Sequence, residues 1–210
     1  RHLAVTGFDQ MKRVSVSGEY RVGGSIFDLS VMARAPESYK QVFKLQDIKA
    51  EIGCVGGELW LEQSRQVFDI EEGNLKKVNR VFMFMELAIP LIGWQDPYEI
   101  VKADYDLLPD QDWQGRPVSV IRSDVFEVPI LHFIDLSTQL EVRRTATVLS
   151  ENGVEHLLEV LFDAPQEGLR FPLPSGYTCR MDGELVSTAK FTQYEFDVWL
   201  PSILFEKRWQ

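Results

Sequence analysis

From Lys12 onward the chain alternates, with Val14, Val16, Tyr20 and Val22 on one side and Arg13, Ser15, Ser17, Glu19 and Arg21 on the other. A period of two describes a strand with one face buried. Gly23 and Gly24 supply a hairpin turn, and SIFDLSVMAR resumes the alternation through Phe27, Leu29, Val31 and Ala33. SYKQVFKLQ, KAEIGCV and, after Gly56 and Gly57, ELWLEQ follow, so the first seventy residues predict five strands in an antiparallel meander. The second half predicts six more: PVSVIRSD, VPILHFID, QLEVRRTATVLS, GVEHLLEVLFD, SGYTCRMD and ELVSTAKFTQYEF, separated by short breaks such as ENG at 151–153 and DG at 182–183.

Between the halves the period changes. NLKKVNRVFMFMELAIPLIGW has no alternation. Val78, Phe82, Met85, Ile89 and Ile92 fall on one helical stripe, while Val81, Phe84, Ala88 and Leu91 fall on another. A helix apolar nearly all round needs cover on more than one side. Pro90 and Gly93 end it, and Asp96, Pro97 and Glu99 have the pattern of an N-cap, a first-turn proline and the far end of a capping box for a second short helix, DPYEIV. The expected organisation is one domain over residues 1–210, mainly β (α+β), in which two helices interrupt a sheet of about eleven strands.

Charge narrows the partners. A formal net charge of -10 excludes holding nucleic acid phosphates or anionic headgroups by bulk electrostatics. The apolar run is shorter than the ~20 residues of a spanning helix and contains Pro90, so it is expected to be buried or interfacial. The chain begins at Arg1, which reads as a processed or trimmed start. Cys54 and Cys179 allow one disulfide without requiring it, and their spacing fits neither a CxxC redox site nor a zinc site. In a meander they lie far apart, so both are expected to be free thiols.

A strand of type SGxY, a strand ending in ARAPESYK, the glycine-marked turn before ELWLEQ, the helical interruption, then WQGRPVSVI, LHFIDLSTQLEVRR, EGLRFPLPSGYTCRMDG and a terminal strand closing on LPSILFE occur in that order. In order and spacing, from Val14 to Phe205, the chain resembles the bacterial outer-membrane lipoprotein carrier superfamily, the periplasmic lipoprotein-sorting proteins. The resemblance implies an open, strongly curved antiparallel sheet, an unclosed half-barrel with helices covering its concave face, and lipid-like chains lying between helix and sheet. It implies export to the bacterial periplasm, a lipoprotein acyl chain or lipid as ligand, and an envelope membrane-protein partner. Two departures stand out: only RHLAVTGFDQMK precedes Val14, where the family has a full helix, and FPLP carries an extra proline, which bears on an edge or turn.

The residues themselves fit a carrier. A curved sheet too wide to close has a larger apolar face than its own side chains fill, so the helix at 78–92 is the natural cover. Val78, Phe82, Met85, Ile89 and Ile92 are the candidates for the face that meets a guest, while the stripe with the small Ala88 approaches the sheet. The plainer reading of such a helix is ordinary core. Met32, Met83, Met85 and Met181 offer adaptable packing. Burying a fourteen-carbon chain yields roughly 11 kcal/mol gross at ~0.8 kcal/mol per methylene.

Catalytic signals are weak. No GxSxG, HExxH, P-loop or dinucleotide glycine pattern occurs. His132 and His156 each alternate with apolar neighbours and read as satisfied strand residues. In DQDWQG, Asp110, Asp112, Gln114 and Gly115 imitate a calcium loop, but Ile121 stands where the bidentate glutamate belongs, which leaves a solvated acidic turn. Arg143 and Arg144 place one arginine on each face, the outward one solvated. The five tryptophans, Trp60, Trp94, Trp113, Trp199 and Trp209, show no stacking-platform spacing and are assigned to core and turns. The expectation is therefore a protein that is not an enzyme and uses no metal or cofactor. Two functions remain: a carrier shielding acyl chains, or an envelope sensor or scaffold module whose cleft is filled by its own side chains.

Overall fold

The computed structural model describes residues 10–34, 38–55, 58–63, 81, 85, 105–125, 128–150 and 152–206. The strands are β1 Arg13–Val22, β2 Ser25–Arg34, β3 Ser38–Leu45, β4 Ile48–Val55, β5 Glu58–Gln63, β6 Tyr105–Trp113, β7 Arg116–Val125, β8 Val128–Asp135, β9 Glu141–Leu149, β10 Glu155–Phe162, β11 Gly176–Met181 and β12 Glu184–Phe196. They form one antiparallel sheet of twelve strands rather than about eleven, ordered β5-β4-β3-β2-β1-β12-β11-β10-β9-β8-β7-β6.

This order corrects the simple meander. Each half is a meander, but the halves meet through β1 and β12, paired from Val14↔Phe196 to Val22↔Ser187 with one register shift at Ser17/Gly18. Strands β5 and β6 are therefore the two edges of an unclosed sheet, and residues 64–104 join one edge to the other. The additional strand is β6. Asp110 and Asp112 lie on it rather than in a turn; the turn is Gln114–Gly115, with φ of 54° and 76°. Positive φ at both central residues is the type I′ hairpin, whose twist matches the strands. The same geometry closes β1–β2 at Gly23–Gly24 (55°, 80°) and β11–β12 at Asp182–Gly183 (51°, 86°).

Among the described residues, one face carries most of the buried apolar side chains. Val14 and Val16, Leu29 and Val31, Tyr39 and Phe43, Ile130, Leu158 and Val160, and Tyr177 and Phe191 form a continuous cluster reaching from β3 to β8 across the joined halves. This is the inner face. Sheets of this width twist and coil instead of staying flat.

Of the helix expected at 78–92, Val81 and Met85 are described: both are helical and belong to that cluster. The rest of the helices expected at 78–92 and 96–101 lies outside the described residues, as do Trp94 and Trp209.

The other face of the N-terminal half is covered by the C-terminal segment. The Trp60 Nε1–H donates to the Phe205 carbonyl at 3.2 Å, and Arg34 Nη1 donates to the Leu200 carbonyl at 3.3 Å. Lys40 and Glu51 form an ion pair of 2.9 Å beneath it, with side chains only 3% and 5% exposed. Trp60 crosses Gly53 so closely that a Cβ there would stand 2.2 Å from the indole. Trp199, by contrast, is 79% exposed and belongs to no core. Four strands separate β4, which carries Cys54, from β11, which carries the buried Cys179.

Candidate functional site

Toward the β6 edge, the inner face turns polar in one place. Ser123 on β7, His132 on β8, and Glu141 and Arg144 on β9 form a continuous hydrogen-bonded chain, and all four are buried. Alternation puts Ser123, His132 and Arg144 on the same face, since Ser123 pairs with Ile130 and His132 with Arg144. Glu141 joins them through a register irregularity: Phe133 pairs with Arg143 but Ile134 with Glu141, so Val142 is the extra residue of a bulge.

The distances define the proton positions. His132 Nδ1 lies 2.7 Å from Glu141 Oε1, and Nε2 lies 2.8 Å from Ser123 Oγ. Burial holds the imidazole below its ordinary pKa, which the Glu141 carboxylate only partly offsets and the Arg144 charge reinforces. The neutral ring thus donates Nδ1–H to Glu141 and accepts the Ser123 hydroxyl proton at Nε2, a tautomer assigned from the network. Burial alone would raise Glu141, but the charges and hydrogen bonds of Arg144 and His132 bring it down to about 2. With His132 neutral, the guanidinium supplies most of that compensation.

Arg144 is the hub. Nε donates to Glu141 Oε1 at 2.9 Å and Nη2 to Oε2 at 2.7 Å, a two-point contact on the carboxylate. Nη1 donates to the Met85 carbonyl at 3.2 Å, and the guanidinium lies 5.0 Å from the Phe162 ring centroid. One side chain therefore both neutralises a buried carboxylate and pins the helical position at 85 to the sheet.

The two arginines fall one on each face, as the sequence implies, but the outward one differs from expectation. Arg144 is 0% exposed, and Arg143 on the outer face is not simply solvated: its Nε donates to Glu159 at 2.6 Å, and its guanidinium lies 4.6 Å from the Phe133 ring. His132 is a satisfied strand histidine, with both ring nitrogens bonded. His156 is partly exposed, with Nδ1 2.6 Å from the Asp182 carboxylate. Of the five cleft candidates, Met85 is described: it is 0% exposed, in the same cluster as Val81. Val78, Phe82, Ile89 and Ile92 lie outside the described residues. Sequence reasoning missed Ser123, Glu141 and the role of Arg144. The available signal was the arginine doublet in a strand, because an arginine facing a core requires a carboxylate.

The chain has the order serine, imidazole, carboxylate, which in an accessible site would activate a nucleophile. Here Ser123 is 1% exposed and its hydroxyl proton is directed at a ring held by burial. The arrangement ties position 85 to the sheet through Arg144.

Beside this chain, at the end of the sheet, lies a partly open cavity of about 450 Å³. Glu141 and Phe162 belong to both, so the cavity adjoins the inner face.

No protein-family model and no curated protein matches the sequence. Solved structures do match. A domain described as outer membrane lipoprotein-sorting, from Vibrio parahaemolyticus, superposes with a TM-score of 0.62 at 11% identity, over 98% of this chain and 97% of that one. A LolA superfamily protein from Nitrosomonas europaea gives 0.60 at 12% identity, over 98% and 97%. A DUF1329 family protein from Desulfovibrio piger gives 0.59 at 10%, over 98% and 94%. The chain shares their fold. The resemblance read from the order of sequence segments is thus matched at the level of architecture, across nearly the full length of both partners.

Proposed function

We propose that this chain is an extracytoplasmic, non-enzymatic carrier that shields an acyl chain of a lipoprotein or lipid between the inner face of its sheet and a helical cover. The observation that carries the reading is the inner face itself: one apolar cluster spread across a sheet whose edges, β5 and β6, do not meet. Such a face needs a cover, and the part described, Val81 and Met85, is held by one arginine hydrogen bond to a carbonyl in addition to apolar contact. A cover held mainly by non-directional contacts can be exchanged for an acyl chain of similar apolarity at modest net cost. The fold shared with lipoprotein-sorting structures supports the ligand class and a periplasmic location, with an envelope membrane protein as donor or acceptor.

The test is uptake of a fluorescent fatty acyl probe by protein that has been delipidated and refolded. Saturable binding of one probe per chain supports the carrier. Absence of binding removes it.

One observation favours a second reading. Val81 and Met85 are both 0% exposed, so at these positions the protein's own side chains fill the inner face. A permanently filled face suits a sensor or scaffold module of the same fold, and a native protein that yields no lipid on organic extraction would favour it.

A further inference from the structure

The cavity of about 450 Å³ lies where three connections converge: the Gln114–Gly115 turn, the turn between β8 and β9, and the connection from β10 to β11. Its volume falls within the ~300–1,000 Å³ usual for small-molecule sites. Trp113, Phe162, Pro165, Pro172 and Pro174 give it apolar walls. The Pro165–Pro174 bridge holds the long connection folded, and Tyr194 Oη donates to the Pro174 carbonyl.

Four charged side chains line it, and two are already used. Asp135 accepts from Ser137 N at 2.7 Å, Ser137 Oγ at 2.5 Å and Thr138 N at 3.0 Å, which caps its own turn. Glu141 is held by His132 and Arg144. Arg116 and Asp163 remain, one cation and one anion, both exposed and neither with a side-chain hydrogen-bond or ion-pair partner among the described residues. The walls nevertheless desolvate Asp163 enough to raise its pKa, so a cationic partner would be favoured there.

We infer that this pocket receives the zwitterionic head of an acylated amphiphile, its ammonium against Asp163 and its phosphodiester against Arg116, with its chains passing by Phe162 to the inner face. The inference rests on the carrier reading and deepens it by naming the head. An ammonium and a phosphate on one short linker match an unpaired carboxylate and an unpaired guanidinium in one cavity, and charge-assisted hydrogen bonds on both sides favour that ligand over an anionic one. The apolar walls suit the glycerol and ester carbons between head and chains.

The experiment uses soluble short-chain lipids below their micelle concentration. Dihexanoylphosphatidylethanolamine, dihexanoylphosphatidylglycerol and free phosphoethanolamine each compete with the fluorescent acyl probe on the full chain. The ethanolamine lipid is expected to bind about tenfold tighter than the glycerol lipid, a difference of about 1.4 kcal/mol. Asp163→Asn should abolish that preference, and Arg116→Gln should weaken both lipids about fivefold, with far-ultraviolet dichroism unchanged because both residues are exposed. Equal affinity for the two lipids while the acyl probe still binds would overturn the head assignment and leave the carrier standing. Free phosphoethanolamine binding as tightly as its lipid would make the pocket a site for a soluble ligand and refute the lipid path. If neither the lipids nor the probe bind, the head assignment falls together with the carrier.

Discussion

Replacing Arg144 by methionine removes the two donors to Glu141, at 2.9 and 2.7 Å, and the donor to the Met85 carbonyl, at 3.2 Å. Methionine keeps much of the volume, so the change isolates charge and hydrogen bonding from packing. Glu141 is then a buried carboxylate with only the His132 Nδ1–H left among the donors described above. Breaking a buried pair by deleting one partner costs about 3–5 kcal/mol, because the surviving charge has lost its compensation. For a chain of this length 1 kcal/mol moves the midpoint by about 2–4 °C, so Arg144→Met should lower Tm by about 10 °C. The double variant Glu141→Gln/Arg144→Met leaves no charge in this cluster and retains an acceptor for His132, so it should recover at least half of the loss. Urea unfolding followed by far-ultraviolet dichroism, on wild type, both single variants and the double, closes the cycle. A cost below about 1 kcal/mol for Arg144→Met, or a double variant less stable than either single, would refute the claim that Arg144 compensates Glu141.

His132 gives the protein a pH dependence of known sign. Burial lowers its folded pKa from the ordinary value of about 6.5, so its contribution to stability is complete above about pH 6.5 and is lost as pH falls toward the folded value, because the unfolded chain takes up the proton first. The unfolding free energy from urea titrations between pH 7.5 and 5 should fall by up to about 1.4 kcal/mol per pH unit in wild type and less steeply in His132→Gln; identical slopes would remove His132 as the cause. Gly53→Ala should cost about 1–3 kcal/mol by thermal unfolding, since the new Cβ would stand 2.2 Å from the Trp60 indole, and a neutral result would mean that the C-terminal segment does not hold Trp60 in place.

Local order was readable where the alternation was clean. The glycine and Asp-Gly punctuation located the β1–β2 and β11–β12 turns, whose positive φ angles need such residues. Strand β6 escaped because YDLLPDQDW contains a proline and three acids, and its pairing to β7 shifts register between Leu108 and Gln111, which destroys the period of two. The order of strands in the sheet was not legible at all, since alternation fixes which face a residue occupies but not which strand lies alongside; β1 and β12 pair across nearly the whole chain length. The polar chain was hidden for a related reason. The bulge at Val142 brings Glu141 to the side of His132 and Arg144, against simple alternation, and the carboxylate that the buried arginine requires sits three residues before it in the same strand. The cavity draws on turns far apart in sequence, so no single stretch announces it.

The most direct test of the proposed function is covalent mapping of the guest. A fatty acid bearing a diazirine near the end of its chain, bound to the full-length protein and photolysed, marks whatever it touches, and peptide mass spectrometry then assigns the adducts. The account predicts adducts on alternate residues of the inner face, such as Val16, Val31 and Phe43 on one half of the sheet or Leu158, Val160 and Tyr177 on the other, together with residues of the 78–92 segment. Adducts confined to outer-face positions such as Lys40, Arg143 and Glu159, or spread evenly over both faces, would contradict it.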